Sequence, residues 1–272
     1  MMLKKLTTID RRLIFVLVAL AVIIPFVTRM TMGIRVSVPV KEAYDAVNSL
    51  EPGSILLLAI DYDPASMPEL QPMLMAILRH AFEKKLRVIF IGLWPLGPPL
   101  GHMAMEEISK EFNLKYGEDY AFLDYRPGGS AVILAIGRNL KSIYGCDYKG
   151  IPLDSLPITK DVTNYDDIAL VVDLAAGSSA DWWPQLAAAR YGQKVIIGCT
   201  AVVAPTTYTY FGSNQIQGLI GGLKGASEYE TLVKIPGTAS LGMSAQSVTH
   251  ALIVFFIIIG NLAYFVTRRR SK

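Results

Sequence analysis

Cysteine, histidine and charge are all scarce in this chain. Two cysteines in 272 residues exclude a disulfide-built scaffold, and three histidines leave little for a histidine-based metal site. Charged residues make up 18% against 52% hydrophobic, so membrane segments are the first feature to seek. The net charge of +3 comes without a long basic run in the interior, which argues against nucleic acid as a partner. No Asn-x-Ser/Thr sequon occurs, pointing to a prokaryotic cell rather than a secretory lumen. Gly-x-Ser-x-Gly, the Walker Gly-Lys-Ser/Thr and internal repeats are also missing, and no cofactor can be named.

What the chain does have is apolarity at its two ends. Leu13 to Val27 is an uncharged run behind Lys4, Lys5, Arg11 and Arg12, without a small-x-small cleavage site after it. It reads as a retained signal anchor over 13–34, with Arg29 snorkelling. Val248 to Val266 is a second uncharged run, closed by Arg268, Arg269, Arg270 and Lys272, and reads as a spanning helix. Eight Lys and Arg flank the two runs on their outer sides and four (Arg29, Arg35, Lys41, Lys234) on their inner sides. The positive-inside rule then places both termini (1–12 and 267–272) in the cytoplasm and residues 35–243 outside. The lipid bilayer is thus an expected partner.

Between the anchors, short aliphatic runs alternate with helical patterns. Ser54–Ile60, Arg87–Leu93, Tyr120–Asp124, Ile168–Leu174 and Val195–Cys199 read as strands. Helices are expected over 68–85, 102–112, 130–144, 181–191 and 214–232. The fold class that follows is α/β: a Rossmann-like, flavodoxin-type, mostly parallel five-stranded sheet with helices on both faces and a transmembrane helix at each end. Ligands in such sheets lie at the carboxyl ends of the strands. Asp61, Asp63, Asp124, Arg126 and Asp173 gather there and are the candidate ligand-binding residues, with a divalent ion or a polar ligand in view. Ordinary turn and cap chemistry is the competing explanation for each acid.

Two further groups stand out. Gly218, Gly221, Gly222 and Gly225 would form a small-residue stripe on the 214–232 helix, for close packing within the fold or against another subunit. Trp182, Trp183, Tyr208 and Tyr210 are candidates for an aromatic contact surface. Cys146 and Cys199 could pair in an oxidising compartment, although Cys199 ends a buried strand.

Asp61-Tyr62-Asp63 after an apolar strand resembles the nucleophile loop of haloacid-dehalogenase-like phosphatases, which implies a first acid as nucleophile and a second serving the leaving group. The chain departs from that pattern at Trp94-Pro95, where a hydroxyl should end the second strand. Asp61-Tyr62-Asp63-Pro64-Ala65-Ser66 also departs from the Asp-x-Ser-x-Ser metal motif of von Willebrand factor A domains. In layout alone, the chain resembles the accessory subunit of gliding-type ABC transporters. The expected function is therefore a doubly anchored binding or assembly subunit of a larger membrane complex of transport or export type, self-associated or joined to other subunits. The alternative is a membrane-bound, metal-dependent hydrolase using the strand-end aspartates.

Overall fold

The computed structural model describes residues 10–269, with side chains through residue 265. Most of the expected N-terminal segment 1–12 and part of the tail 267–272 lie outside the described residues. The chain divides into an α/β unit, Ile34–Ala239, and a second unit made of the chain up to Gly33 together with the chain from Ser240.

In the second unit, helix α1 (Arg11–Val27) exposes Phe15, Val16, Ile23 and Ile24. At 17 residues it is about 25 Å long, short of the ~30 Å hydrocarbon layer. The last helix of the chain runs from Thr238 to Arg269, and its stretch Thr238–Phe265 is long and apolar enough to cross a membrane. Phe255, Ile257, Ile258 and Phe265 stand exposed along it, so it is not the core helix of a soluble domain. The described residues thus hold one candidate membrane helix where two were expected. The Met32 N–H donates to Ser244 Oγ at 3.0 Å within this unit.

The α/β unit opens with α2 (Val38–Asn48), started by Pro39 in the first turn. Then come β1 (Ile55–Asp61), α3 (Met67–Glu83), β2 (Arg87–Gly92), α4 (Gly97–Phe112), β3 (Tyr120–Tyr125) and α5 (Ser130–Ile143). After two 3₁₀ turns follow β4 (Leu170–Ala175) and a helical segment of three pieces: α6 (Ser179–Trp182), a π-helical stretch (Trp183–Ala188) and α7 (Ala189–Tyr191). The unit closes with β5 (Val195–Cys199), α8 (Ala204–Gly212), β6 (Gly218–Gly221) and α9 (Gly222–Leu232), and the long terminal helix is α10.

All neighbouring strands are parallel, in the order β3-β2-β1-β4-β5-β6. The sheet has six strands, not five, and its order is that of dinucleotide-type Rossmann sheets rather than the flavodoxin order. β1 is buried throughout, as a central parallel strand covered on both faces must be. Its even-numbered residues Leu56, Leu58 and Ile60 pack with α2, α3, α4 and α9. Leu57 and Ala59 face the opposite core, with α5, Trp183 and Ala187.

The extra strand corrects the glycine helix. Gly218 and Gly221 lie in β6, and only Gly222 and Gly225 belong to a helix, so the four glycines share no helix face. A Cβ on Gly218 would sit 2.4 Å from the Ala43 backbone. The bare glycine therefore lets α2 lie directly on the edge strand. Gly222, at φ +62°, starts α9 in the left-handed conformation that glycine adopts without strain. Tyr208 and Tyr210, two of the aromatic candidates, lie in α8.

Candidate functional site

The strand order reverses between β1 and β4, which are hydrogen-bonded neighbours, and the crevice above such a reversal is where α/β sheets hold ligands. A pocket of about 130 Å³ lies there. Asp61, Tyr62 and Asp63 from the end of β1 form one wall, Leu93 and Trp94 after β2 a second, and Ala176–Ser179 with Trp182 after β4 a third.

Alternation along the strands decides which acids meet. Asp61 follows Leu57 and Ala59 onto the α5 face, and Asp173 falls between Val171 and Ala175 on that face. Asp173 thus sits inside β4, wholly buried, rather than after it. Asp61 is also buried, and its Oδ1 accepts the Leu93 N–H at 2.6 Å. Burial raises Asp61 to about 6, against the pull of backbone N–H groups of Leu93 and Trp94. Asp173 is raised well above the ordinary carboxylate range, by burial first and then by the charge of Asp61 beside it. The two carboxyls share a proton, and Asp61, which has the backbone donor, ionises first.

The surroundings of this pair leave many polar atoms unused. Among the described residues, eight buried side-chain polar atoms lack a hydrogen-bond partner. Seven lie around this point: Asp61 Oδ2, both oxygens of Asp173, Ser179 Oγ, Trp183 Nε1, Tyr144 OH and Arg126 Nε. The Trp183 indole acts on Asp61 and the Ser179 hydroxyl on Asp173, but none of these contacts reaches hydrogen-bond geometry. Tyr144 is in electrostatic range of Asp61, Arg126 and Asp124, and the Arg126 guanidinium stands 5.3 Å from the centre of its ring. Buried groups are normally satisfied, so this concentration marks a place made for something polar.

The remaining candidates serve other ends. Asp63 lines the pocket, but its Oδ1 accepts the N–H groups of Ala65 and Ser66 at 3.1 and 3.2 Å and the Ser66 hydroxyl at 3.3 Å. It shapes the turn into α3. Asp124 stands at the β-bulge where β3 slips against β2, with φ +68°. His102 stacks on Phe122, ring centres 3.8 Å apart, and is not among the pocket residues. Trp182 lines the pocket with its ring against Gly129, whereas Trp183 is fully buried and gives no contact surface. Tyr208 is exposed, and the Tyr210 hydroxyl accepts from Gln185 Nε2 at 2.6 Å. Cys146 is exposed, Cys199 is buried, and both are free.

Sequence reading missed Ser179 and Tyr144, and it gave Trp183 to a contact surface rather than to the acids. The signal for Ser179 was its place one short turn after β4, where side chains return over the strand end.

No group of three His, Cys, Asp or Glu side chains suited to a metal ion occurs among the described residues. A Gly-x-Gly-x-x-Gly turn is also missing after β1, where acids stand instead. Compared with known protein families, curated proteins and solved structures, the chain matches none of them.

Proposed function

We propose that the chain is a membrane-anchored binding module that holds a polar ligand in the switch-point pocket and serves a larger membrane assembly of transport or export type. The seven unused polar atoms around Asp61 and Asp173 carry the binding part of this reading. A fold that buries two acids side by side loses stability when the site is empty, and functional sites are where such losses are kept. The exposed apolar side chains of α10 support the anchor. Helix α1 shares one compact unit with α10 and accompanies it in the bilayer. The basic flanks put both termini in the cytoplasm and the α/β unit outside.

The stability of Asp173→Asn in the full-length protein tests the binding part. An acid kept for a ligand gives a variant that is equally or more stable at pH 8. A loss of about 1 kcal/mol or more there would mean that Asp173 supports the fold, and the ligand reading would fall.

One observation favours the hydrolase alternative: Asp61, raised to about 6, is poised for proton transfer near neutral pH. Turnover of phosphoesters by the purified chain with Mg²⁺ or Mn²⁺, abolished in Asp61→Asn, would establish it.

A further inference from the structure

Every tryptophan in the chain, Trp94, Trp182 and Trp183, converges on the switch-point pocket. Trp94 and Trp182 line its walls, with Trp94 half exposed at 52%, and Trp183 lies behind with its indole N–H toward Asp61. Carboxylates at the floor and aromatic faces on the walls are the two elements that hold an organic cation. Of the two acids, Asp61 lines the pocket with its Oδ2 unpartnered, Ser179 Oγ is a second unpartnered acceptor on the wall, and Asp173 lies buried next to Asp61. A primary ammonium group has three N–H donors and no acceptor.

Resting on the ligand-site reading, we infer that this pocket binds a small primary ammonium compound, its charge on Asp61 and its carbon body against Trp94 and Trp182.

The other ligand classes fit less well. Anions meet two acids. For a hard divalent cation, the described residues hold no group of three suited His, Cys, Asp or Glu side chains. The volume of about 130 Å³ corresponds to roughly four water-sized groups, which suits an amine of about four non-hydrogen atoms.

Binding couples to the ionisation of Asp61, because the ammonium needs that carboxylate charged. The titratable groups near Asp61 are Asp173 from β4, Asp63 after β1 and Tyr144 after α5, with Asp124 and Arg126 in turn acting on Tyr144, while Cys199 on β5 is near Asp173. Among them Asp61 is the one raised to about 6. At pH 5 only about one in eleven Asp61 carboxyls is ionised, so affinity there should be about tenfold weaker than at pH 8.

Intrinsic tryptophan fluorescence of the full-length protein in detergent reads the site directly. Propylammonium chloride, titrated against sodium chloride at equal ionic strength, should give a saturable change in the millimolar range or tighter. That change should weaken about tenfold from pH 8 to pH 5 and vanish in Asp61→Asn, with Asp61→Ala as the second variant if the first fails to fold. An equal response to 1-propanol overturns the ammonium assignment, as does a response to Mg²⁺ alone or to none of the three. If propylammonium fails while Asp173→Asn remains as stable as the parent, the pocket is still a ligand site for another chemistry. If both fail, the ligand reading falls too.

Discussion

Glu228 and Glu230, one residue apart on α9, clasp the first and last segments of the α/β unit. Glu228 Oε2 accepts the Ser37 N–H at 3.1 Å and the Ser37 hydroxyl at 2.5 Å, just where α2 begins. Glu230 accepts the Gly237 N–H at 2.9 Å and the Ala239 N–H at 3.1 Å. Both glutamates are buried, which is tolerable for a carboxylate that receives several donors. Lys224 also pairs with Glu228 one turn earlier.

Glu230→Ala should therefore lower the stability of the full-length protein by about 1–3 kcal/mol, because it strands the buried Ala239 N–H and the half-buried Gly237 N–H. Glu230→Gln, which keeps one acceptor oxygen, should lose less. Thermal unfolding gives the size, and faster hydrogen exchange at Gly237 and Ala239 gives the place. Unchanged exchange at those two amides would refute the clasp.

The acid pair sets a pH dependence with a definite sign. Asp61 and Asp173 hold protons more tightly in the folded chain than the 3.8 of a free carboxyl. Their contribution to stability is fully present below about pH 4 and is lost as pH rises through about 6 and beyond. For Asp61 alone, the loss is on the order of 3 kcal/mol. Denaturant unfolding from pH 4 to pH 8 should show the parent falling relative to Asp61→Asn. Parallel curves would refute the sharing of a proton.

Asp63 should behave in the opposite way from its neighbours. Its carboxylate organises the turn before α3, so Asp63→Ala should cost about 1 kcal/mol. The same change should leave the pH difference between parent and Asp61→Asn in place. A stabilised Asp63→Ala would move this residue into the acid pair.

Gly222→Leu should destabilise the α/β unit through its backbone. The residue sits at φ +62°, and a Cβ would lie 2.8 Å from the Ala201 Cβ. Left-handed strain and overpacking together amount to about 2–4 kcal/mol. At Gly218, where a side chain would strike the Ala43 backbone itself, Val should cost at least as much. A variant with an unchanged melting temperature at either position would contradict the packing of β6.

Topology has a built-in probe. Cys146 is exposed and Cys199 is buried, and burial pushes the Cys199 thiol up to about 12, so only Cys146 should react. A membrane-impermeant maleimide should label Cys146 in intact cells and should leave a cysteine at Ser271→Cys untouched until the cells are broken. The reverse pattern would invert the orientation.

Long apolar strands were the legible part of the fold. β1, β2 and β5 carry mainly apolar runs, and in β4 Asp173 is the one polar interruption, which chain composition reveals directly. β6 was hidden because Gly-Leu-Ile-Gly is short and half glycine, and glycine weakens every strand signal. Its edge is made by the approach of α2, a tertiary fact with no local signature. Within the site, the strand-end rule pointed to Asp61 and Asp173, since acids after hydrophobic strands are visible as such. The meeting of the two on one face depends on strand register, and the burial of Trp183 depends on the π-helical turn that follows it. The burial of Glu228 and Glu230 has no sequence signal, because nothing local to them announces that Ser37 and Gly237 come to meet them.

The clasp on α9 also bears on how such a protein can be built. A unit whose first and last segments fasten to one helix has its ends side by side, and a domain of that kind can be spliced into the loop of another protein without being unthreaded. The α/β unit should then fold as an insert, carried between any two neighbouring helices of a host, with Ser37 and Ala239 as its natural borders.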